Sequence, residues 1–281
     1  MKRKHLVIGA SGQVGRQLVR TLEQNQEQVE GTYASRMVPG YHPLDITQAQ
    51  AVRDLVRQLT PQVVWLPAAL PDVDRCEREP EMSWRVNVQG TQNVAHAAHE
   101  IGAQLVFFST DYVFDGIRGP FKEDDAVHPI QVYGKHKVEA ESYILHHVPK
   151  ALIIRPAWVY SREDNPRNFI WRIIQQIERR DPIKAAVDQI STPTNAERLA
   201  KVAMEAVTAQ HSGILHVVGP DRLSRFELTE RIAHSKGYHD VVIEPITTGS
   251  LGLPAARPLN GGLVTQFPPF RIYEGLSADL N

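Results

Sequence analysis

The apolar positions of this 281-residue chain fall into short runs that alternate with helical patterns. Residues 63–66 and 105–108 are apolar throughout, which is typical of strands buried on both faces of a parallel sheet. Val14, Leu18 and Leu22 follow helical spacing with polar residues between them, which predicts a helix packed on that sheet. The alternation predicts an α/β fold with a doubly wound parallel sheet.

The predicted elements alternate up to about residue 160 and become less regular beyond it. Strands are predicted over residues 5–8, 29–33, 63–66, 104–109, 151–155 and 213–218. Further helices are predicted over residues 51–59, 81–101, 133–147, 169–180 and 224–233. Thr194 with Glu197, and Ser224 with Glu227, match the capping-box pattern at helix starts. Proline and glycine become frequent after Pro245, which predicts a loop-rich lobe over the sheet.

The composition fits a folded protein with a substantial core and a nearly neutral charge. The chain is 42% hydrophobic and 22% charged with a net charge of -1, which argues against a nucleic-acid or membrane-surface binder. No apolar run approaches the roughly 20 residues of a spanning helix, and the run after residues 2–4 is too short for a signal peptide. Cys76 is the only cysteine, so no internal disulfide can form and a cytoplasmic location is expected. The scattered histidines predict no metal site.

A glycine pattern between the first strand and the first helix predicts a dinucleotide site. Such glycines permit a tight turn and let a pyrophosphate approach the backbone at the helix N-terminus. The pattern alone is weak, and a ligand-free glycine turn is the alternative, but its place inside a β-α-β unit favours the cofactor. The contacts expected here are Gly9, Ser11, Gly12, Gln13, Val14 and Gly15.

The tip of the second strand predicts NADPH in preference to NADH. NAD-binding proteins place an acid there for the ribose 2′-hydroxyl, whereas NADP-binding proteins tend to place an arginine. Ser35 and Arg36 follow the strand, and no acid does. Glu30 is nearer the usual offset from the first glycine, but it is predicted to lie within the strand. Ser35 and Arg36 are therefore expected to bind the 2′-phosphate.

Several residues at strand ends and on one helix complete the predicted cofactor site. Asp45 is expected either to contact the adenine end or to cap the next helix. Small residues after the strand 63–66 would let the cofactor lie against the backbone, and Asn87 is expected to make a structural hydrogen bond or to hold a water. The further cofactor contacts expected are Asp45, Ile46, Ala68, Ala69, Asn87 and Ser109.

Three polar residues predict carbonyl reduction. Tyr133 and Lys137 lie four residues apart and so share a helix face, where an ammonium would lower the pKa of the phenol. Thr110 stands at the carboxyl end of a strand, where ligands bind in open α/β sheets. With a nicotinamide as hydride source, Tyr133 would donate the proton, Lys137 would hold the ribose hydroxyls, and Thr110 would orient the substrate oxygen. The alternative is an ordinary surface helix, since a tyrosine and lysine at this spacing are common by chance.

The motifs GASGQVG, LDIT, STDYVFDG, YGKHK, RPAWVY, DQISTPT and ARPLNGG occur in an order and spacing that resembles the extended short-chain dehydrogenase/reductases. They are most similar to the dTDP-4-dehydrorhamnose reductase (RmlD) group, over nearly the whole chain. STDYVFDG followed by YxxxK is the most specific part. The resemblance implies NADPH-dependent reduction of the 4-keto group of a nucleotide sugar, as in dTDP-rhamnose biosynthesis, with the catalytic roles on Thr110, Tyr133 and Lys137.

The resemblance also implies a domain division and a set of substrate contacts. Residues 1–160 would form a Rossmann domain, with its sheet completed within about 188–218, and residues 161–281 would form mainly a smaller substrate lobe. Arg257 would clamp the diphosphate, because a guanidinium binds it with two hydrogen bonds; a surface arginine is the alternative. The implied substrate contacts are Thr110, Asp111, Tyr112, Val113, Trp158, Gln189, Pro193, Thr194 and Arg257.

Departures from the family pattern separate the alternatives. Gln17 replaces an acid that some members use in a magnesium-bridged dimer, so the homodimer that the resemblance allows would not be bridged in this way. Nucleotide-sugar dehydratases carry Asp-Glu after the threonine; here Tyr112 follows Asp111, which disfavours dehydration. A sugar-nucleotide epimerase stays open.

The main rival belongs to another functional class. The regulatory β subunit of methionine adenosyltransferase resembles the same group, binds NADP, and would pair with the catalytic subunit of that synthetase. Thr110 favours the reductase, because the regulatory subunit tends to carry serine there.

Overall fold

The computed structural model describes residues 2–161 and 169–280. The strands are β1 (Lys4–Val7), β2 (Gln28–Tyr33), β3 (His42–Pro43), β4 (Val63–Leu66), β5 (Gln104–Phe108), β6 (Leu152–Arg155), β7 (Val159–Tyr160), β8 (Ile183–Ala186), β9 (Ile190–Ser191), β10 (Thr194–Asn195), β11 (Gly213–His216), β12 (Leu223–Ser224) and β13 (Ile243–Ile246). The α-helices are α1 (Gln13–Gln24), α2 (Ala49–Leu59), α3 (Val73–Arg78), α4 (Pro80–Trp84), α5 (Gly90–Glu100), α6 (Val132–His147), α7 (Phe169–Glu178), α8 (Ala196–Thr208), α9 (Arg225–Ser235) and α10 (Leu276–Leu280). A π-helical segment, Arg85–Gln89, joins α4 to α5. Across these described ranges, none of the helices has the length and apolarity that a membrane crossing requires.

Seven parallel strands form one sheet, which confirms the predicted Rossmann-type α/β fold. Their order is β11-β6-β5-β4-β1-β2-β3. The chain leaves β1 toward β2 on one side and returns to β4 on the other, so the strand order reverses at β1. The carboxyl ends of β1, β4 and β5 therefore border one crevice, where open α/β sheets bind ligands.

Apolar side chains cover both faces of this sheet. One cluster packs α2, α5 and α6 against β4 and β5, with Phe107 and Ile144 fully buried. The opposite face packs α1 and α8 against the sheet through Trp65 and Leu18. The strands read as continuous apolar runs because both of their faces are covered.

The chain beyond β7 contributes to the sheet and also builds a core of its own. β11 pairs in parallel with β6, and Phe270 and Ile272 pack into the cluster under α1 and α8. A separate cluster joins α7, α9 and β8 around Ile177 and Leu228. β8 and β13 pair in parallel and were not predicted from the sequence; β13 contains a proline, which argues against a strand.

The two predicted capping boxes had different outcomes. The Ser224–Glu227 box is confirmed, with both of its hydrogen bonds present at the start of α9. The predicted Thr194–Glu197 box is wrong. Asn195 caps α8, because its side chain accepts from the amides of Glu197 and Arg198. Thr194 is instead paired with Val159 in the strand pair β10–β7, so the helix begins one residue later.

Candidate active site

The loop between β1 and α1 exposes its backbone to the crevice, because its glycines carry no side chains. A Cβ on Gly15 would lie 2.2 Å from the carbonyl oxygen of Gly9, so only glycine lets the helix start this close to the strand. Gly12 is the N-cap of α1 and adds no side-chain hydrogen bond there. The amides of the first turn, which carries Gln13 and Val14, are thus left for an anion. This geometry fits a dinucleotide pyrophosphate.

The residues that follow β2 match the arrangement expected for a 2′-phosphate. Ser35 and Arg36 are exposed. Glu30 lies inside β2, as expected, with its carboxylate 3.1 Å from Nε2 of His42. The acid that would bind a ribose 2′-hydroxyl is therefore not at the tip of the strand.

Asp45 and Ile46, shortly after β3, already make hydrogen bonds within the chain. The carboxylate of Asp45 accepts hydrogen bonds from the amide and the hydroxyl of Thr47, at 2.9 and 2.8 Å. The N-cap of α2 is Gln48, so Asp45 caps the turn before the helix and not the helix itself. The carbonyl oxygen of Ile46 accepts from the side chain of Asn93 at 2.9 Å.

Asn87 has the structural hydrogen bonds that were one of its two expected roles. It lies in the π-helical segment and is 1% exposed. Its Oδ1 accepts from the amide of Leu70 at 2.9 Å, and its Nδ2 donates to the carbonyl of Leu70 at 3.1 Å and to Ser83 at 3.2 Å. These bonds hold the chain just after Ala68 and Ala69. Asn87 therefore shapes this wall of the crevice through the backbone.

The end of β5 presents an unsatisfied hydroxyl. Ser109 is buried, and its Oγ has no hydrogen-bond partner in the part of the chain that the structure describes. Its amide donates to the carbonyl of Ile154 at 2.7 Å, which fixes the backbone. A buried hydroxyl without a partner costs free energy unless a bound group satisfies it. Ser109 therefore fits the predicted cofactor contact.

The three predicted catalytic residues meet where β5 ends and α6 begins. Tyr133 and Thr110 are each 7% exposed, and Lys137 is 1% exposed. Nζ of Lys137 donates to the carbonyl oxygen of Phe108 at 2.6 Å. Thr110 Oγ1 accepts from the amide of Tyr112 at 3.2 Å, so the strand turns at this point. The set is buried at the carboxyl end of β5 and is not an exposed surface helix.

Gly134 allows α6 to approach this turn, and sequence inspection had not identified it. A Cβ at Gly134 would lie 2.1 Å from the carbonyl oxygen of Tyr112. The neighbouring Tyr133 is therefore held against the segment after β5 by close backbone packing. Its ring meets that of Tyr112 edge to face, with centroids 6.1 Å apart.

The expected lowering of the Tyr133 pKa is wrong in this structure. Burial raises the pKa of Tyr133 above its usual value, and the neighbouring Cys76 and Asp111 raise it further, against a lowering hydrogen bond with Thr110. Burial also lowers the pKa of Lys137 to about 7, which Glu141 partly opposes. Desolvation thus outweighs the attraction that the spacing suggested, because both groups lie in a dry interior.

Asp111 is a buried carboxyl beside the same threonine. Its Oδ2 accepts from the hydroxyl of Ser191 at 2.9 Å, and its Oδ1 accepts from Thr110 at 3.3 Å. Burial raises the pKa of Asp111 to about 6, although both hydrogen bonds oppose the shift. Burial also raises the pKa of the Tyr112 phenol to about 12. Ser191 therefore joins the segment after β5 to β9, a connection that the sequence did not reveal.

The predicted substrate contacts divide into two groups. Trp158, at a left-handed φ of 37°, and Gln189 are buried, and both contact Arg225. Val113 and Thr194 are 0% exposed, and the hydroxyl of Thr194 donates to the carbonyl of Thr192. Pro193 is buried beside Thr194. The substrate contacts of Val113, Pro193 and Thr194 stay predictions.

Arg257 is already paired. Its Nη2 donates to Oδ2 of Asp74 at 2.7 Å, and its Nη1 donates to the carbonyl of Ala255 at 2.8 Å. Oδ1 of Asp74 also accepts from the amide of Ala255 at 3.2 Å. The arginine thus fastens the C-terminal segment to α3. Of the residues that sequence reasoning missed, Arg225 could have been suspected from its position directly after the capping residue Ser224.

The family model described as "RmlD substrate binding domain" matches residues 3–267. The dTDP-4-dehydrorhamnose reductase of Aggregatibacter actinomycetemcomitans is 32% identical over 271 residues, covering 92% of this chain and 89% of that protein. The methionine adenosyltransferase 2 subunit beta of Xenopus tropicalis is 29% identical over 286 residues, covering 96% of this chain and 85% of that protein.

A solved structure extends the likeness to the fold. The dTDP-4-dehydrorhamnose reductase of Bacillus anthracis, determined in complex with NADP, superposes with a TM-score of 0.90 at 29% identity, covering 100% of this chain and 98% of that one. The glycine loop at β1 and the Thr110, Tyr133 and Lys137 cluster at β5 agree with this likeness. The chain belongs to the RmlD family of extended short-chain dehydrogenase/reductases.

Proposed function

We propose that this oxidoreductase uses NADPH to reduce the 4-keto group of a nucleotide sugar, as in dTDP-4-dehydrorhamnose reduction, with Tyr133 as the proton donor. One observation carries the proposal: Thr110, Tyr133 and Lys137 are buried together at the carboxyl end of β5. The crevice at these strand ends also contains the glycine loop. The named reductases among the relatives supply the reaction class.

The residues present suit NADPH. The backbone of Gly12 and the first turn of α1 would hold the pyrophosphate, and the unpartnered Ser109 hydroxyl would meet the cofactor. Ser35 and Arg36 would bind the 2′-phosphate. When bound, the nicotinamide supplies the hydride.

The protein's own residues would then manage the substrate oxygen and its proton. Thr110 would orient the carbonyl by a hydrogen bond, and Tyr133 would donate its proton as charge develops on the oxygen. The raised pKa of Tyr133 keeps the phenol protonated at neutral pH. The tyrosinate left behind would be stabilised by the Lys137 ammonium on the same helix face. Lys137 must therefore be charged when the proton moves.

The test is NADPH oxidation against a panel of dTDP-, GDP- and UDP-4-keto sugars. Tyr133→Phe should abolish turnover while leaving NADPH affinity within a few-fold of the wild type, because the ring and its packing are retained. Tyr143→Phe is the matched control, since Tyr143 lies on the same helix and is only partly buried. Turnover retained in Tyr133→Phe would rule out Tyr133 as the proton donor. A wild type that is inactive on every sugar of the panel would rule out the proposed reduction.

A second function is favoured by the Xenopus relative, whose name is that of a regulatory subunit. Under this alternative the chain would bind NADP and pair with a methionine adenosyltransferase catalytic subunit. Co-purification with that subunit, together with no NADPH oxidation on any keto sugar of the panel, would replace the reductase by the regulatory role. Turnover without a complex would exclude the regulatory role.

A further inference from the structure

Arg225 is held rigidly at the start of α9. Its amide donates to the carbonyl of Gln189 at 3.0 Å, and its Nε donates to Oε1 of the same residue at 3.3 Å. Its Cζ lies 3.5 Å from the ring centroid of Trp158 and 4.6 Å from that of Phe169. Cation–π stacking and the Nε hydrogen bond therefore fix the guanidinium plane before any ligand arrives.

The guanidinium of Arg225 makes no salt bridge with a carboxylate in residues 2–161 and 169–280, although the charge of Asp111 is near enough to favour its charged form. Apart from the bond from Nε to Gln189, its side chain makes no hydrogen bond or ion pair with the described residues. Burial lowers the pKa of Arg225 to about 10, so the group stays charged at neutral pH. A largely buried cation that makes no salt bridge with the described residues is costly, and an anionic ligand would offset that cost.

Arg225 faces a cavity whose described lining is basic. The cavity has a volume of about 450 Å³ and is also lined by Arg172 of α7 and by Arg179, which directly follows that helix. The side-chain amides of Gln175 and Gln176 line it as well, and no carboxylate does among its described lining residues. Three guanidinium groups and two amides favour a ligand with several acceptor oxygens.

The strand pair that directly precedes Arg225 contacts the catalytic end of β5. Ser191, which donates to Asp111, lies opposite Leu223 in the β9–β12 pair. Arg225 is two residues beyond Leu223. The charge of Arg225 interacts with Tyr112 and Asp111, which follow Thr110 at the end of β5. Arg225 is therefore near the catalytic end of the crevice.

We propose that Arg225, and not Arg257, is the arginine that binds the diphosphate of the nucleotide-sugar substrate. The inference rests on the proposed function, which supplies the diphosphate. Arg257 is already engaged by the carboxylate of Asp74, whereas the terminal nitrogens of Arg225 make no hydrogen bond with the residues that the structure describes. Two parallel N–H donors suit phosphate oxygens, and Arg172 at the cavity would add charge.

The test measures dTDP and thymidine binding by titration calorimetry on the full chain with NADPH present. Arg225→Gln should weaken dTDP binding about 10- to 100-fold, the value of a charge-assisted hydrogen bond, and leave thymidine binding unchanged. The dTDP affinity of Arg225→Lys should lie between those of the wild type and Arg225→Gln, because lysine keeps the charge and loses the planar pair of donors. Arg231→Gln is the matched control, since Arg231 is on the same helix and pairs with Asp221 at the surface.

Each outcome bears on the proposal. An unchanged dTDP affinity in Arg225→Gln, or a loss seen in Arg257→Gln alone, would overturn it. Equal losses for dTDP and thymidine would also overturn it, since they would indicate general damage to the site. A wild type that binds none of dTDP, UDP and GDP would also overturn the proposal. Arg225-dependent dTDP binding in a wild type inert toward all keto sugars would reject the proposed reduction and keep the diphosphate site.

Discussion

Gly134→Ala should damage catalysis by moving Tyr133. A Cβ at this position would meet the carbonyl oxygen of Tyr112 at 2.1 Å, whereas ordinary van der Waals contact begins at 3.4 Å. It would also lie 2.6 Å from Oε1 of Gln131 and 3.0 Å from Cβ of Pro129. The side chain of Gln131 could rotate, but the backbone oxygen cannot. The first turn of α6 must therefore retreat from the segment after β5.

The size of the effect follows from that retreat. A displacement of about 1 Å at a reacting group can cost about 100-fold in rate, and overpacking of this kind typically costs about 1–3 kcal/mol of stability. We expect kcat to fall about 100-fold and the melting temperature to fall by several degrees. NADPH affinity should change little, because no atom near the added Cβ belongs to the glycine loop.

The assay combines NADPH oxidation on the best keto sugar of the panel, thermal melting and NADPH titration. Gly249→Ala is the control, since a Cβ there meets nothing within 4 Å and should leave all three readouts unchanged. Wild-type kcat and melting temperature in Gly134→Ala would show that α6 does not depend on this close approach. A loss of NADPH affinity as large as the loss of kcat would indicate unfolding in place of displacement.

Three further predictions concern buried charges. The pKa of Lys137 is lowered to about 7, so its ammonium is lost as pH rises through that value and kcat should fall above it; a pH-rate profile that stays flat from 6 to 9 would contradict this. The pKa of Asp111 is raised to about 6, so the folded state binds this proton more tightly than the unfolded state, whose pKa is near 3.8. The resulting stabilisation, about 2–3 kcal/mol, is complete below pH 3.8 and is lost as the pH rises to 6. Denaturant unfolding at pH 4 and pH 7 should show a smaller pH dependence in Asp111→Asn than in the wild type. Glu141 accepts from Nε and Nη2 of the buried Arg155 at 2.9 and 2.6 Å, so Glu141→Leu should cost about 3–5 kcal/mol by leaving that charge unpaired, measured as a loss in unfolding free energy. Exposed Glu197, paired with Lys201, is the control and should lose less than about 1 kcal/mol on the same substitution.

Local patterns along the chain were enough to predict the architecture and to identify the candidate catalytic residues. Apolar runs bounded by turns indicate strands buried on both faces, and this signal is local, so the strands of the central sheet were predicted apart from the two-residue β3. Gly9, Gly12 and Gly15 were recognised because their spacing is contiguous along the chain. Tyr133 and Lys137 were recognised for the same reason.

The burial and charge partners of those residues depend on tertiary contacts between distant parts of the chain. Burial, which no spacing encodes, raised the pKa of Tyr133 where its lysine neighbour suggested a lower one. Asp74 and Arg257 are 183 residues apart, and their ion pair engages the arginine that the family resemblance favoured. Arg225 gained its position through stacking on Trp158, 67 residues earlier in the chain. Long-range packing determines which polar groups are desolvated and which charges are paired. These two factors determine which side chains in the crevice can bind a ligand or transfer a proton.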